Sequence, residues 1–176
     1  MNNEQINQDL EIENTMEMYD ERVGFGRRMG AYLLDLLVIV IIGFLLKSFA
    51  GELLSNLFFG NQLAEIETAA SQFEGMGFDY EKLMTQVWQI SACTSLVTIL
   101  LFILEGLKGQ SIGKIILKIK NTNTDGSEAN PKTLWIRAGL KYGSTILAVL
   151  GALIKIAAIG TIGSIWGIVI FIGFFF

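Results

Sequence analysis

Two acidic residues occupy positions where the chain is otherwise apolar, and an arginine precedes the first of them. Asp35 falls within the apolar run from Ala31 to Leu46, seven residues after Arg28. Glu105 closes a second apolar run. A carboxylate at the centre of a membrane-spanning helix costs about 2.5–3.5 kcal/mol, so it usually faces the protein interior and has a partner. Because intramembrane carboxylates can bind a proton or a monovalent cation, these residues predict an ion-binding polar core. The alternative is a buried ion-pair network that only fixes helix packing.

On a helix, Arg28 and Asp35 lie on one face, about 10.5 Å apart along the axis. We expect Arg28 to be the electrostatic partner of Asp35, either directly or through water or a neighbouring helix. Glu105 would complete the polar core from the same side of the membrane. We interpret four further residues as its cytoplasmic mouth: Lys108, Gly113, Lys114 and Arg137.

The composition excludes several kinds of chemistry. The 176 residues include no histidine and one cysteine, Cys93. No zinc site of the usual nitrogen and sulfur type and no Ser-His-Asp or Cys-His nucleophile can be assembled from them. We also find no Gly-rich phosphate loop. The sequence therefore predicts a protein that is not an enzyme, with no catalytic residue, metal site or cofactor, and we expect no nucleic-acid partner.

The apolar content favours an integral membrane domain. Apolar residues make up 52% of the chain, and the mean hydropathy is +0.51. Residues 29–46 and 87–104 are each close to the ~20 residues that cross a bilayer. For residues 143–176 we favour two short helices, about 143–158 and 162–176, over one long tilted helix. The predicted fold is an all-α polytopic bundle of three or four transmembrane helices.

The charges predict the orientation. Lysine and arginine number three before the first span, two in residues 47–86 and seven in residues 105–145. Basic residues collect on the cytoplasmic side, so the N-terminus and the second connection are expected there. Residues 1–23 are interpreted as an acidic, disordered cytoplasmic tail, and residues 24–176 as the transmembrane domain. Because the chain stops on three phenylalanines with no basic anchor after them, a further C-terminal segment is expected in the natural protein.

The second connection has its own pattern. The run from Ile115 to Thr122 favours a β-strand, and Asp125-Gly126 is typical of a turn. These features predict a small cytoplasmic β-hairpin between spans 2 and 3. Asn130-Pro131 then predicts the start of a basic amphipathic helix, which we expect to lie against anionic headgroups.

Two stretches of the sequence resemble the RDD family of small prokaryotic integral membrane proteins. The first, from Gly24 to Asp35, has an arginine followed three residues later by alanine and seven later by aspartate. The second, from Glu105 to Lys114, has an acid at the end of a span and then a Gly-Lys pair. The family is named for one arginine and two aspartates, and the chain ends before a position for the second aspartate. The resemblance implies a role in transport, with cation/proton antiport in some members.

The sequence and the resemblance together predict a small ion-coupled transporter, or a transport-associated subunit, in the bacterial cytoplasmic membrane. It would be multi-pass and homo-oligomeric, in contact with membrane lipids, and would bind a monovalent cation or a proton at Asp35. The alternative is a non-catalytic membrane scaffold. It would bind partner proteins or anionic lipid through the basic connection between spans 2 and 3.

Overall fold

The computed structural model describes residues 24–70, 79–122, 127, 129–154 and 156–175. This part of the chain is helical and contains no strand, which confirms the all-α prediction. The helices are α1 (Phe25–Ala70), α2 (Tyr80–Lys108), α3 (Ile112–Ile116), α4 (Pro131–Ile154) and α5 (Ala157–Phe175). Within α1, Phe59 has non-helical backbone angles (φ −131°, ψ 21°), so the helix is kinked there.

Residues at the helix ends account for where the helices begin and stop. The Asp79 side chain accepts a hydrogen bond from a backbone N–H of the first turn of α2 at 2.9 Å. Gly109 ends α2 in the left-handed conformation (φ 68°), which glycine adopts without a steric penalty. Asn130 accepts a hydrogen bond from the backbone N–H of Lys132 at 3.1 Å, which confirms the predicted start of α4.

The first two long helices are apolar enough to cross a membrane. The qualifying segments are Phe25–Gly60, with 36 residues, and Tyr80–Lys108, with 29. At about 1.5 Å per residue both exceed a ~30 Å hydrocarbon core. They pack antiparallel and close together, since a Cβ atom on Gly43 would lie 2.6 Å from the Thr94 methyl group. At the end of this helix pair where α2 begins, the ring centroids of Phe59 and Trp88 lie 4.9 Å apart.

The last two helices form an antiparallel hairpin. The first of the two ends at Ile154 and the second begins at Ala157, so the break comes earlier than the predicted one at 158–162. The reason is that Gly160, which falls within the predicted break, instead packs closely against the preceding helix. A Cβ atom on Gly151 would lie 2.7 Å from the backbone nitrogen of Gly160, and one on Gly163 would lie 2.9 Å from the carbonyl oxygen of Ser144. These contacts need helices that approach backbone to backbone.

The predicted β-hairpin is not supported. Ile115 and Ile116, predicted to lie in its first strand, belong to α3. Ser111 caps this helix, and its side-chain oxygen lies 3.5 Å from the backbone nitrogen of Lys114. Capping and packing against α1 thus outweigh the β-propensity of the two isoleucines, because that propensity depends strongly on context. The predicted turn at Asp125-Gly126 and the predicted tail, residues 1–23, lie outside the described residues.

Candidate functional site: a buried charge cluster

Asp35 is buried at one end of the bundle, with 2% of its surface exposed. One carboxylate oxygen, Oδ1, accepts a hydrogen bond from the backbone N–H of Gly113 at 2.8 Å. The other, Oδ2, accepts one from the Lys141 ammonium at 2.9 Å. Residues from α3 and α4 therefore satisfy a carboxylate that belongs to α1.

Glu105 is the second buried acid, with 3% of its surface exposed. Its Oε2 atom accepts a hydrogen bond from Lys141 at 2.9 Å and another from the Tyr142 hydroxyl at 3.0 Å. Its Oε1 atom forms an ion pair with Lys114. Lys114 also donates to the side-chain oxygen of Asn121 at 3.1 Å. Both oxygens of each acid thus have a donor, as buried carboxylates require.

Lys141 is the centre of this arrangement because its ammonium group contacts both acids. We call Asp35, Glu105, Lys114, Lys141 and Tyr142 the charge cluster. With both acids and both lysines ionised, their formal charges sum to zero. A neutral set of paired charges is far less costly to bury than a single ion.

Among the described residues, the two lysines are the members of the cluster that reach the surface most. The side chains of Lys114 and Lys141 are each 21% exposed, whereas those of the two acids are 3–4% exposed. Tyr142 of the charge cluster also packs in an apolar core with Leu101 and Ala138, and all three residues are at most 5% exposed. The acids therefore face the protein interior, and a group from solvent would reach them past the lysines.

Arg28 does not have the position predicted for it. The ion pair of Asp35 is with Lys141, and Arg28 is exposed in the first turns of α1. The axial distance between Arg28 and Asp35 explains this, since about 10.5 Å is far for one side chain to cross. Lys141 supplies a nearer ammonium from a facing helix.

The predicted mouth residues divide into two groups. Gly113 and Lys114 contact the acids directly. Lys108 is exposed in the last turn of α2, and Arg137 is exposed and donates to the Thr122 carbonyl oxygen at 3.2 Å. The structure therefore brings together Asp35, Glu105, Gly113 and Lys114, while Arg28, Lys108 and Arg137 lie outside the charge cluster.

Lys141 and Tyr142 were not predicted to belong to the site. The sequence interpretation placed both in a helix lying against headgroups. Charge balance is the signal that could have found Lys141, since two buried acids need two cations nearby. A second signal is spacing, because Lys141 lies three residues after the fully buried Ala138 and therefore on a similar face of α4.

The fold and the charge cluster define a helical membrane protein whose packed helices hold two acidic and two basic side chains together. The family model described as the RDD family matches residues 22–176. The chain therefore belongs to the RDD family, as the two sequence stretches indicated. Comparisons with curated proteins and with solved structures found no match.

Proposed function

We propose that this protein is a small transporter that exchanges a monovalent cation for a proton at the charge cluster. The observation that carries the proposal is the shared ammonium of Lys141, which lies 2.9 Å from a carboxylate oxygen of Asp35 and 2.9 Å from one of Glu105. The Lys141 ammonium is a cation held between two carboxylates. A sodium or potassium ion could bind the same two carboxylates in place of this ammonium. The role in transport that the resemblance to the RDD family implies supports the same interpretation.

Charge balance explains why such an exchange would involve a proton. The charge cluster is neutral when both acids and both lysines are ionised, and uncompensated charge is costly in a low-dielectric interior. The arrival of one sodium or potassium ion would leave the cluster with one excess positive charge. Release of one proton from Lys141 or Lys114 would restore neutrality, so the exchange would be one cation for one proton.

The exposed cations support an orientation for this exchange. The lysine side of the charge cluster lies at the end of the bundle that carries Arg27, Arg28, Lys108 and Arg137 on its surface. By the positive-inside rule this end would face the cytoplasm, together with the N-terminus. The protein would then be a multi-pass protein of the bacterial inner membrane. With α1, α2, α4 and α5 as four spans, assembly into a homo-oligomer would provide more room for an ion pathway.

Replacement of one cluster acid tests the proposal. In everted membrane vesicles with a pH-sensitive dye, sodium or potassium should drive proton movement in the wild type. Asp35→Asn should reduce this signal to that of vesicles lacking the protein. The asparagine can still accept the hydrogen bond from the Gly113 N–H but no longer carries the charge that binds a cation.

Glu52→Gln is the matched control because Glu52 is an exposed carboxylate on the same helix, remote from the cluster. Its exchange rate should equal that of the wild type at equal protein amounts in the membrane. If Asp35→Asn exchanges at the wild-type rate, the proposed ion site is wrong.

A second candidate is favoured by the complete pairing of the cluster. Since both oxygens of Asp35 and of Glu105 already have donors, the cluster is also suited to a static role in which it joins α1, α2, α3 and α4. The protein would then be a membrane scaffold that holds partner proteins. This candidate predicts that the wild type exchanges neither sodium nor potassium for protons. Asp35→Asn should then lower the thermal stability and have no effect on ion exchange.

A further inference from the structure

Four exposed basic side chains lie along the segment between α3 and α4. Arg27 donates from Nη2 to the carbonyl oxygen of Leu117 at 3.3 Å. Arg137 donates from Nη1 to the carbonyl oxygen of Thr122 at 3.2 Å, and Thr122 lies five residues after Leu117. The two arginines thus hold the two ends of the segment 117–122, which carries two exposed lysines between them. We call the four residues the basic arc: Arg27, Lys118, Lys120 and Arg137.

The backbone of this segment is held in place from inside. The Gln110 side chain donates to the carbonyl oxygen of Ile119 at 2.8 Å, and Ile119 itself is 5% exposed. Lys118 has a left-handed backbone (φ 54°), a conformation that residues other than glycine rarely adopt. A residue stays in such a conformation only when its surroundings determine it, so the lysines are placed by a defined backbone.

The charge of the basic arc has no counterpart nearby among the described residues. In residues 24–40, 100–122, 127 and 129–145 the only acids are Asp35 and Glu105, and both are committed to the charge cluster. Each arginine of the arc uses one N–H group on a backbone carbonyl and has others left to donate. Guanidinium groups of this kind match the geometry of a phosphate.

Apolar side chains accompany the cations. Ile115 and Ile116, which directly precede the segment, are 49% and 56% exposed. Exposed isoleucines beside lysines and arginines are typical of a surface at the boundary between acyl chains and headgroups. A soluble protein partner would account for the exposed cations but not for the exposed isoleucines. A lipid, which has a charged headgroup and apolar acyl chains, accounts for both.

We propose that the basic arc binds the phosphate headgroup of an anionic phospholipid in the leaflet at this end of the bundle. Ile115 and Ile116 would contact the acyl chains of the same lipid. The site is separate from the charge cluster, and the proposal does not depend on ion exchange.

Lipid selectivity measured on the full chain tests the site. The protein is reconstituted in phosphatidylcholine bilayers with traces of spin-labelled phosphatidylglycerol or spin-labelled phosphatidylcholine. Electron paramagnetic resonance then gives the fraction of each label immobilised by the protein. The wild type should prefer phosphatidylglycerol. Removing one cation near an anionic headgroup should weaken this preference by up to about fivefold.

Two pairs of substitutions with the same change in net charge separate a defined site from diffuse attraction. Lys118→Gln with Lys120→Gln should abolish the preference, whereas Lys108→Gln with Lys132→Gln should leave it in place. Lys108 and Lys132 are exposed but lie outside the basic arc. An equal loss from both pairs, or no loss from the first pair, would overturn the proposal.

Two further measurements distinguish loss of the lipid site from misfolding, and a lipid ligand from a soluble anion. Lys118→Gly removes the charge and also relieves the left-handed backbone, so it should weaken the preference without lowering the thermal unfolding midpoint. Inorganic phosphate, compared with chloride at equal ionic strength, should not displace the spin-labelled phosphatidylglycerol from the wild type. Displacement by phosphate alone would assign the arc to a soluble anion and overturn the lipid proposal.

Discussion

At the scale of single residues, Lys141 determines how the buried acids are tolerated. Its ammonium lies between Asp35 of α1 and Glu105 of α2, at 2.9 Å from an oxygen of each. Removing one partner of a buried ion pair leaves an uncompensated charge, which typically costs about 3–5 kcal/mol. Here the loss of Lys141 would leave two acids with Lys114 as their one remaining cation in the charge cluster.

Lys141→Gln should therefore lower the free energy of unfolding by about 3–5 kcal/mol, as thermal or denaturant unfolding in detergent would show. The double variant Asp35→Asn with Lys141→Gln should be more stable than Lys141→Gln alone, because Glu105 and Lys114 then balance each other. This double-mutant cycle isolates the charge coupling. If the two single effects simply add, the neutrality argument for the charge cluster fails.

At the scale of elements, the short helix α3 links the connection to the membrane-spanning part. A Cβ atom on Gly113 would lie 2.0 Å from the carbonyl oxygen of Ala31, so only glycine allows α3 to lie this close to α1. This closeness brings the Gly113 N–H within 2.8 Å of Asp35 Oδ1. The backbone of α3 thus serves as one wall of the charge cluster.

Gly113→Ala should force α3 away from α1, break the hydrogen bond to Asp35 and lower the unfolding midpoint. Gly139→Ala is the matched control, because a Cβ atom there has nothing within 4 Å. Alanine is favoured over glycine within a helix by about 0.5–1 kcal/mol, so this control should be neutral or slightly stabilising. Equal midpoints for the two variants would show that the close approach of α3 is not needed.

At the scale of the whole molecule, charge is distributed unevenly between the two ends of the helical bundle. Exposed basic residues collect at the end where α1 and α4 begin and α2 ends. The antiparallel hairpin of α4 and α5 brings the second half of α5 back toward this end, since Trp166 donates to the carbonyl oxygen of Leu140 at 3.2 Å. From this arrangement we expect four crossings, with both ends of the described chain on one side.

Labelling of single cysteines, introduced with Cys93→Ser, tests this topology. An impermeant thiol reagent should label Lys132→Cys from the cytoplasmic side, and Glu81→Cys and Ile156→Cys from the outer side. All three positions carry exposed side chains, and Cys93 is buried. Labelling of Lys132→Cys and Ile156→Cys from the same side would contradict a separate crossing by α4.

Some of the site could be predicted from the sequence and some could not. The cost of a carboxylate in lipid was sufficient to predict that Asp35 is turned inward, and the two sequence stretches indicated the family. The partner of Asp35 was mispredicted, because helical spacing relates Arg28 to Asp35 within α1 but carries no information on a facing helix. Lys141 lies 106 residues away in the chain, so its pairing depends on how α4 packs.

Composition and local pattern by themselves determined that this protein is helical and belongs in a membrane, because hydrophobicity and helix period act over short stretches of chain. Packing decided the rest. It placed Gly160 inside α5 rather than in the predicted break at 158–162, and it converted Ile115 and Ile116 from a predicted strand into α3. It also gave Asp35 its ammonium partner. Such choices depend on distances between segments that are remote in sequence, and those distances exist only in the folded molecule.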